Sequence, residues 1–188
     1  KVRKVWDIGT PVGVIAGIVP STNPTSTVIY KAMIALKGGN AIVFSPHPGA
    51  KKCILETVEI ISRAACEAGC PKGAVSAISV PTMEATQALM KSEHTALILA
   101  TGGGAMVKSA YSSGTPAIGV GAGNGPAFID KSADIKKAVK QILDSKTFDN
   151  GTICASEQSI IVERCMEAKV VEELKSQGAF VLTQEQSR

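Results

Sequence analysis

Short apolar runs alternate with amphipathic stretches over the first two thirds of the chain. Five of these runs are apolar at consecutive positions, a pattern typical of strands covered on both faces. They span residues 13–20, 40–46, 74–81, 96–104 and 116–123. The stretches between them have the period of a helix, over residues 24–37, 51–68, 83–92 and 105–113. Strand–helix units repeated in this way predict an α/β fold with a doubly wound, Rossmann-like, mostly parallel sheet.

The pattern changes after the glycine-rich segment at residues 121–130. We therefore place a domain boundary between Gly123 and Ile135. The elements predicted beyond it are a charged amphipathic helix over residues 134–145, a strand over 159–163 and a helix over 167–176. The chain starts abruptly before a strand and stops where another element is due, so we expect it to be a fragment of a longer protein.

Composition and charge exclude several classes of protein. The residues are 45% hydrophobic and 19% charged, which fits a soluble globular protein and excludes disorder. The net charge of +4 is small and scattered, so we expect no nucleic-acid partner. The sequence contains no apolar run long enough to span a bilayer and no signal peptide, so we expect no membrane association.

The cysteines and histidines indicate neither a disulfide framework nor a metal site. Five cysteines are an odd number, and a reducing cytosolic compartment fits them better than a complete set of disulfides. Cys66 and Cys70 are four residues apart, but no second pair of ligands follows, and the histidines are His47 and His94. We therefore predict that no metal is bound.

Four loops follow predicted strands, at the edge where open parallel sheets bind ligands. In VPSTNP (19–24), Asn23 either presents its side-chain amide to a substrate oxygen or caps the next helix, and the pattern alone favours the cap. In SPHPGA (45–50), Ser45 and His47 either contact the ribose or adenine of a nucleotide or belong to a proline-shaped loop without a ligand.

The other two loops are rich in glycine. In TGGGA (101–105), three glycines between a strand and a helix allow a phosphate to approach the helix N-terminus. The alternative is a plain tight turn, because the segment is not the GxGxxG fingerprint. The loop GVGAGNGP (119–126) leads into another apolar run, which predicts a passage of chain past a ligand or between domains.

Cys154 lies in NGTICASEQS (150–159), among small residues that allow a substrate to approach. A catalytic cysteine needs an exposed setting that stabilises its thiolate, whereas most free cysteines are simply buried. The local sequence does not decide between the two. The other four cysteines, at positions 53, 66, 70 and 165, are predicted to be structural.

Five segments taken in order resemble the aldehyde dehydrogenase superfamily. They are GVIAGIVPSTNP, GGNAIVFSPHPGAKK, LILATGGGAMVKSAY, GVGAGNGPAFID and FDNGTICASEQS. More narrowly, they resemble its CoA-acylating branch, including the aldehyde half of bifunctional aldehyde–alcohol dehydrogenases. The resemblance covers essentially all 188 residues. It implies a NAD(P)-binding domain over residues 1–124, incomplete at its N-terminus, and the start of an α/β catalytic domain over 125–188.

The resemblance also implies roles for individual residues. Cys154 is the nucleophile, and the side chain of Asn23 and the backbone N–H of Cys154 form the oxyanion hole. The residues expected to contact NAD are Ser45, His47 and Pro48 along its adenosine, Thr101, Gly102 and Gly103 near its pyrophosphate and nicotinamide, and the segment from Gly121 and Ala122 to Asn124 beside the nicotinamide.

The chain departs from hydrolytic members of the family at the base position. Those members carry Glu-Leu-Gly-Gly, whose Glu activates water, whereas the matching segment here begins with Val120. A thioester on Cys154 then lacks a water-activating base and waits for a thiol, which makes coenzyme A the expected acyl acceptor. The usual Lys and Glu around the adenine ribose are replaced by Ser45 and Pro48, so NAD is expected and NADP stays open.

The activity implied is the reversible, NAD-dependent oxidation of a short-chain aldehyde to acyl-CoA, through a thiohemiacetal and a thioester on Cys154. The alternatives are a non-acylating aldehyde dehydrogenase, an acyl-phosphate reductase, or a nucleotide-binding fragment without catalysis. We expect the parent protein to be a homo-oligomer in the cytoplasm, with a bacterial microcompartment as the other location to consider.

Overall fold

Two units, divided between Ala122 and Gly123, make up the fold. The structure is a computed structural model that describes residues 4–6 and 8–187. We call the unit that ends at Ala122 the sheet unit and the unit that begins at Gly123 the cysteine unit. The division falls at the first residue of the predicted boundary region. The functions assigned to the two domains stay predictions.

In its described residues, the sheet unit contains five parallel strands in the order β3-β2-β1-β4-β5, which confirms the predicted fold class. The strands are β1 Val14–Val19, β2 Ala41–Pro46, β3 Val75–Ala77, β4 Thr95–Thr101 and β5 Ala117–Val120. The third, fourth and fifth strands end earlier than predicted. For the fourth, the reason is that a helix already begins at Gly104.

Four helices connect these strands: α1 Pro24–Lys37, α2 Lys51–Glu67, α3 Met83–Lys91 and α4 Gly104–Tyr111. The first begins and ends at the predicted residues, with Pro24 at its first position, where a missing N–H is tolerated. The second ends before Gly69, as the stop signal predicts. In the described part of the chain, no helix combines the length and the apolar character needed to cross a membrane.

Both faces of the sheet are covered, which explains the continuously apolar strands. On β1, Ile15 and Val19 belong to one buried cluster, which includes side chains of α1 and α2. The alternate residues Ala16 and Ile18 belong to a second cluster, which includes side chains of α3 and α4. Because successive strand residues point to opposite faces, the two clusters lie on opposite sides of the sheet. The sheet is therefore doubly wound.

The strand order reverses direction at the centre of the sheet. The chain runs from β1 outward to β2 and β3 on one side and then returns to place β4 on the other side of β1. In open α/β sheets, ligands bind outside the carboxyl ends of the strands at such a switch point. The loops after β1 and β4 flank this position.

The cysteine unit is a smaller parallel unit of the strand–helix–strand type. Its elements are β6 Gly125–Ile129, α5 Ile135–Thr147, β7 Glu157–Val162 and α6 Glu167–Ser176. Asp134 caps α5 by accepting a hydrogen bond from the N–H of Lys137 at 3.1 Å. Ile129, Val139 and Val170 form its buried core with Met166. The last helix has the predicted bounds, and α5 and β7 are displaced from theirs by one or two residues.

A buried lysine ties the two central strands together. Lys31 lies on the apolar face of α1, and its side chain is 1% exposed. Its Nζ donates hydrogen bonds to the carbonyl oxygens of Ile18 on β1 and Leu99 on β4, both at 2.7 Å. Burial lowers the pKa of Lys31 to about 7, although carbonyl acceptors favour the ammonium form.

This lysine predicts a pH-dependent stability. The folded pKa lies below the unfolded one, so between about pH 7 and about pH 10.5 the unfolded chain binds more protons. The free energy of unfolding should therefore rise with pH across this window, by at most about 1.4 kcal/mol per pH unit. Urea unfolding at several pH values should show that the slope is smaller in Lys31→Met and unchanged in Lys37→Met, which alters an exposed residue of the same helix. Parallel pH curves for the wild type and Lys31→Met would contradict the prediction.

Candidate active site

Cys154 lies in the turn that precedes β7, and its side chain is exposed. The alternative of a buried free cysteine is therefore wrong. Cys53, Cys66 and Cys165 are also exposed and Cys70 is half-buried, so none of these four lies in the core as a structural cysteine would. What distinguishes Cys154 is the construction of its loop.

The segment before Cys154 has an unusual backbone conformation. Asp149 and Asn150 have φ of 49° and 53°, and Gly151 continues the left-handed run with φ of 69°. Residues other than glycine adopt this region at a cost of about 1–2 kcal/mol each, with Asn and Asp the most tolerant. A side chain at position 151 would also lie 3.2 Å from the carbonyl oxygen of Lys146. The chain therefore turns tightly just before it presents Cys154.

Polar side chains hold this loop from inside and at its base. Ser156 is 1% exposed, and its Oγ lies 2.9 Å from the carbonyl oxygen of Ile153 and 3.2 Å from that of Gly151. At the base, the Oγ of Ser145 on α5 donates to Oε1 of Glu157, the first residue of β7, at 2.7 Å. The bonds of Ser156 therefore lie inside the loop, and the bond between Ser145 and Glu157 connects its two ends.

Gly123 passes beside the cysteine. A Cβ at position 123 would lie 3.0 Å from the carbonyl oxygen of Cys154, which is closer than such contacts normally occur. Glycine at this position is thus explained by a close approach of two backbone segments. The passage of chain past a ligand or between domains, predicted for residues 119–126, stays a prediction, and the neighbour that the structure gives Gly123 is the Cys154 loop.

The side chain of Asn23 does not cap helix α1. Asn23 occupies the N-cap position but makes no side-chain cap bond. Its backbone carbonyl accepts hydrogen bonds from the N–H of Thr27 at 3.2 Å and the Oγ1 of Thr27 at 2.7 Å. Its Oδ1 accepts a hydrogen bond from Thr22, and its Nδ2 has no acceptor among the described residues. The cap favoured by the pattern is therefore absent, and the half-buried amide keeps a donor for a ligand.

The side chains in the loop after β2 differ in burial and in hydrogen bonding. Ser45 is 2% exposed, and its hydroxyl bonds Oγ1 of Thr86 at 2.8 Å. Because Thr86 donates its own proton to the carbonyl of Thr82, Ser45 is the donor in this pair. His47 is exposed, and its Nδ1 accepts a hydrogen bond from the N–H of Gly49 at 3.1 Å. The next residue, Pro48, is also exposed. These three residues stay predicted cofactor contacts, although the Ser45 hydroxyl is engaged by Thr86.

The glycines after β4 are not required by the fold. A Cβ at Gly103 or Gly104 would meet nothing within 4 Å, and at Gly102 it would make an ordinary contact of 3.5 Å with Met106. Gly103 has φ of −63°, which any residue adopts, so it is the N-cap of α4 without conformational need for glycine. A tight turn does not explain the run. The open space lies at the start of α4, where the N–H groups of Gly104 and Ala105 precede the first intrahelical bonds, which Met106 and Val107 donate to the carbonyl of Gly103.

The segment after β5 lies against this glycine loop. The N–H of Gly102 donates to the carbonyl of Val120 at 3.1 Å. A Cβ at Gly121 would lie 3.9 Å from the carbonyl oxygen of Gly102. Ala122 is exposed, and Val120 is 54% exposed. Thr101, the last residue of β4, is paired in register with Val120.

The sheet unit thus brings most of the predicted site residues to one edge. Asn23, Ser45, Thr101 and Gly121 all lie at or just after the carboxyl ends of strands that run parallel. Cys154 belongs to the cysteine unit. Sequence reasoning missed Lys31, whose signal is a lysine within an apolar helix stripe, and it missed Ser145, Ser156 and Glu157, for which the sequence carries no signal.

The sequence comparisons agree with this arrangement of strands, glycine loops and cysteine. A sequence model of the aldehyde dehydrogenase family matches residues 3–183. The chain belongs to the aldehyde dehydrogenase family. The bifunctional aldehyde-alcohol dehydrogenase AdhE of Escherichia coli (strain K12) is 54% identical over 175 residues. These residues are 93% of this chain, which spans only 20% of the length of that relative.

Solved structures of aldehyde dehydrogenases superpose on most of the chain. An acetylating aldehyde dehydrogenase from Geobacillus thermoglucosidasius is 61% identical with a TM-score of 0.87, and the match covers 94% of this chain and 39% of that one. A propionaldehyde dehydrogenase from Rhodopseudomonas palustris with bound propionyl-CoA is 38% identical with a TM-score of 0.85, covering 94% and 39%. An engineered glycolyl-CoA reductase with bound NADP⁺ is 37% identical with a TM-score of 0.85, covering 93% and 40%.

Proposed function

We propose that this chain is the part of a CoA-acylating aldehyde dehydrogenase that supplies its nucleophile and most of its nicotinamide-cofactor site. The observation that carries the proposal is Cys154, exposed on a turn that the fold constrains, in a chain of this family. Relatives with acetylating activity and a solved relative with bound propionyl-CoA support the acylating branch. The substrates are then a short-chain aldehyde and coenzyme A.

The carboxyl edge of the sheet fits a dinucleotide. Gly103 and Gly104 leave open space where side chains would stand, next to the N-terminus of α4, where N–H groups and the helix dipole favour a phosphate. The loop with His47 and Pro48 would hold the adenosine, and Gly121 and Ala122 the nicotinamide. The solved relative with bound NADP⁺ supports a nicotinamide cofactor. We propose NAD as the one used.

Cys154 and Asn23 would carry the first chemical step. The Cys154 thiolate attacks the aldehyde carbonyl carbon, and the carbonyl oxygen becomes an oxyanion. The Nδ2 donor of Asn23 and the backbone N–H of Cys154 stabilise this oxyanion, and losing one such donor typically costs about 2.7–4 kcal/mol. When bound, NAD supplies the acceptor for the hydride that leaves the resulting thiohemiacetal carbon, which gives the thioester.

The second half-reaction follows from the residue at position 120. Val120 has an exposed apolar side chain and offers no base to activate water. The coenzyme A thiolate attacks the thioester carbonyl, and the Cys154 thiolate leaves, so that acyl-CoA forms and the nucleophile is restored. The reverse sequence reduces acyl-CoA to aldehyde.

The dependence on coenzyme A tests this proposal. The assay uses the full polypeptide that carries these residues, because the chain spans only 20% of the bifunctional relative. NADH formation from acetaldehyde and NAD should require coenzyme A after the first turnover. The Val120→Glu variant should acquire slow turnover without coenzyme A, because a carboxylate then stands at the base position.

Two outcomes would contradict the proposal. Wild-type turnover that ignores coenzyme A would indicate a water-activating base elsewhere and a non-acylating dehydrogenase. Turnover that requires inorganic phosphate in its place would indicate an acyl-phosphate reductase. Val120→Leu serves as the matched control, since it changes the side chain without adding a carboxylate, and it should keep the wild-type dependence on coenzyme A.

A further inference from the structure

A side-chain hydrogen bond between Ser145 and Glu157 closes the loop that carries Cys154 at its base. Ser145 lies near the C-terminal end of α5, and Glu157 is the first residue of β7. Their hydrogen bond, 2.7 Å from Oγ to Oε1, joins residues twelve apart and spans the whole segment 146–156. The left-handed run from Asp149 and Cys154 itself both lie inside this span.

The Ser145 donor is the main reason why the pKa of Glu157 lies below its usual value. The carboxylate is therefore ionised at neutral pH, and its bond to Ser145 is charge-assisted, which makes it stronger than a neutral one. The other oxygen, Oε2, is buried and has no hydrogen-bond partner among the described residues. The hydrogen bond to Ser145 therefore stabilises the ionised carboxylate in the folded loop and holds its two ends together.

Ser156 completes the arrangement from inside the loop. Its buried hydroxyl reaches the carbonyls of Gly151 and Ile153, and its backbone N–H also donates to the carbonyl of Ile153 at 3.1 Å. These bonds fix the backbone on either side of Thr152, directly before Cys154. A left-handed segment persists only where its surroundings hold it.

We propose that Ser145, Ser156 and Glu157 form a bracket that fixes the Cys154 loop, and that they are positioning residues for the nucleophile. This inference rests on the proposed function. The bracket acts through the backbone. It holds the Cys154 N–H in the direction of the oxyanion, and it holds the Cα–Cβ bond of Cys154 so that the sulfur reaches the carbonyl carbon. A displacement of about 1 Å in such a group can cost about 100-fold in rate.

The test breaks the base of the bracket from each end in the full polypeptide. Glu157→Ala and Ser145→Ala should each lower kcat by about 10- to 100-fold and leave KM for the aldehyde within about 3-fold. The double variant should be no slower than the slower single variant, because both remove the same bond. Glu157→Gln keeps an Oε1 acceptor for Ser145 and should retain kcat within about 3-fold. Ser156→Ala should also lower kcat, because it removes the hydrogen bonds inside the loop and leaves the Ser145–Glu157 bond intact.

Hydrogen exchange of residues 148–156 separates this proposal from the proposed function. Exchange should become faster in Glu157→Ala and Ser145→Ala. It should be unchanged in Asp144→Asn, which breaks the exposed Lys140–Asp144 ion pair on the same helix. If the wild type shows no coenzyme A-dependent turnover, the proposed function fails, while faster exchange still supports the bracket. The bracket would be overturned if exchange were unchanged in Glu157→Ala and Ser145→Ala, or if both variants of an active enzyme kept the wild-type kcat. It would also be overturned if the kcat losses of the two single variants multiplied in the double variant, or if Glu157→Gln lost as much kcat as Glu157→Ala.

Discussion

Replacement of Cys154 by alanine is expected to abolish aldehyde oxidation, with a loss in kcat of roughly 10⁴-fold or more, as for other nucleophiles that form covalent intermediates. Without the sulfur, neither the thiohemiacetal nor the thioester forms, and no other group at this position replaces it. The side chain is exposed, so its removal creates no cavity and should leave the free energy of unfolding nearly unchanged. NADH formation and urea unfolding measure the two quantities separately.

Cys165 offers a matched control for this variant. It is exposed and lies in the same unit, on a short 3-10 helix after β7. Cys165→Ala should keep the full activity. If Cys165→Ala and Cys154→Ala lost similar activity, or if Cys154→Ala remained active, the nucleophile would have to be another group.

Asn23→Ala is expected to lower kcat by about 10²–10³-fold, the usual effect of removing one oxyanion donor. The loss should appear in kcat and in kcat/KM together, because the Nδ2 donor binds the oxyanion more strongly than the ground-state carbonyl. Asn23→Asp should lose as much, since a carboxylate of the same shape accepts hydrogen bonds and does not donate them.

In this test, an effect on activity can be separated from an effect on the stability of α1. The cap of α1 uses the backbone carbonyl of Asn23, which both variants retain, and no side-chain cap bond is lost. Thermal unfolding of the Asn23 variants should therefore resemble that of the wild type. Ser26→Ala, which removes a hydroxyl from the first turn of the same helix, serves as the control and should keep its activity. A stability loss in Asn23→Ala without a kcat effect would favour a structural role.

The two largest effects concern residues on different units. Asn23 follows the central strand of the sheet unit, and Cys154 precedes the second strand of the cysteine unit. Each unit prepares its own residue independently: α1 is capped without the Asn23 amide, and the Cys154 loop is held by bonds within the cysteine unit.

Most elements of the fold follow from local sequence patterns. The bounds of α1 and α6 agree with the prediction because proline at a helix start and a clear helical period are local signals. Strand ends were less predictable, as the third strand shows: it forms only at Val75–Ala77 although the apolar run continues to residue 81. A strand ends where its neighbour stops pairing, and that depends on the partner strand.

The sequence by itself determined the fold class, the family resemblance and the positions of Cys154, Asn23 and the glycine loops. Periodicity is set by the local backbone geometry, and the resemblance rests on ordered segments of the chain. Only the tertiary structure decided that Asn23 leaves its amide donor unused, that Ser45 is turned inward to Thr86, and that Gly103 is not needed by the turn. It alone showed Lys31 between two strands and the Ser145–Glu157 bond. The contacts of Ser45 with Thr86 and of Lys31 with Leu99 join groups far apart in the chain, which meet only when the strands and helices pack. The free Asn23 amide, the space at Gly103 and the Ser145–Glu157 bond depend on side-chain placement that the sequence pattern does not carry.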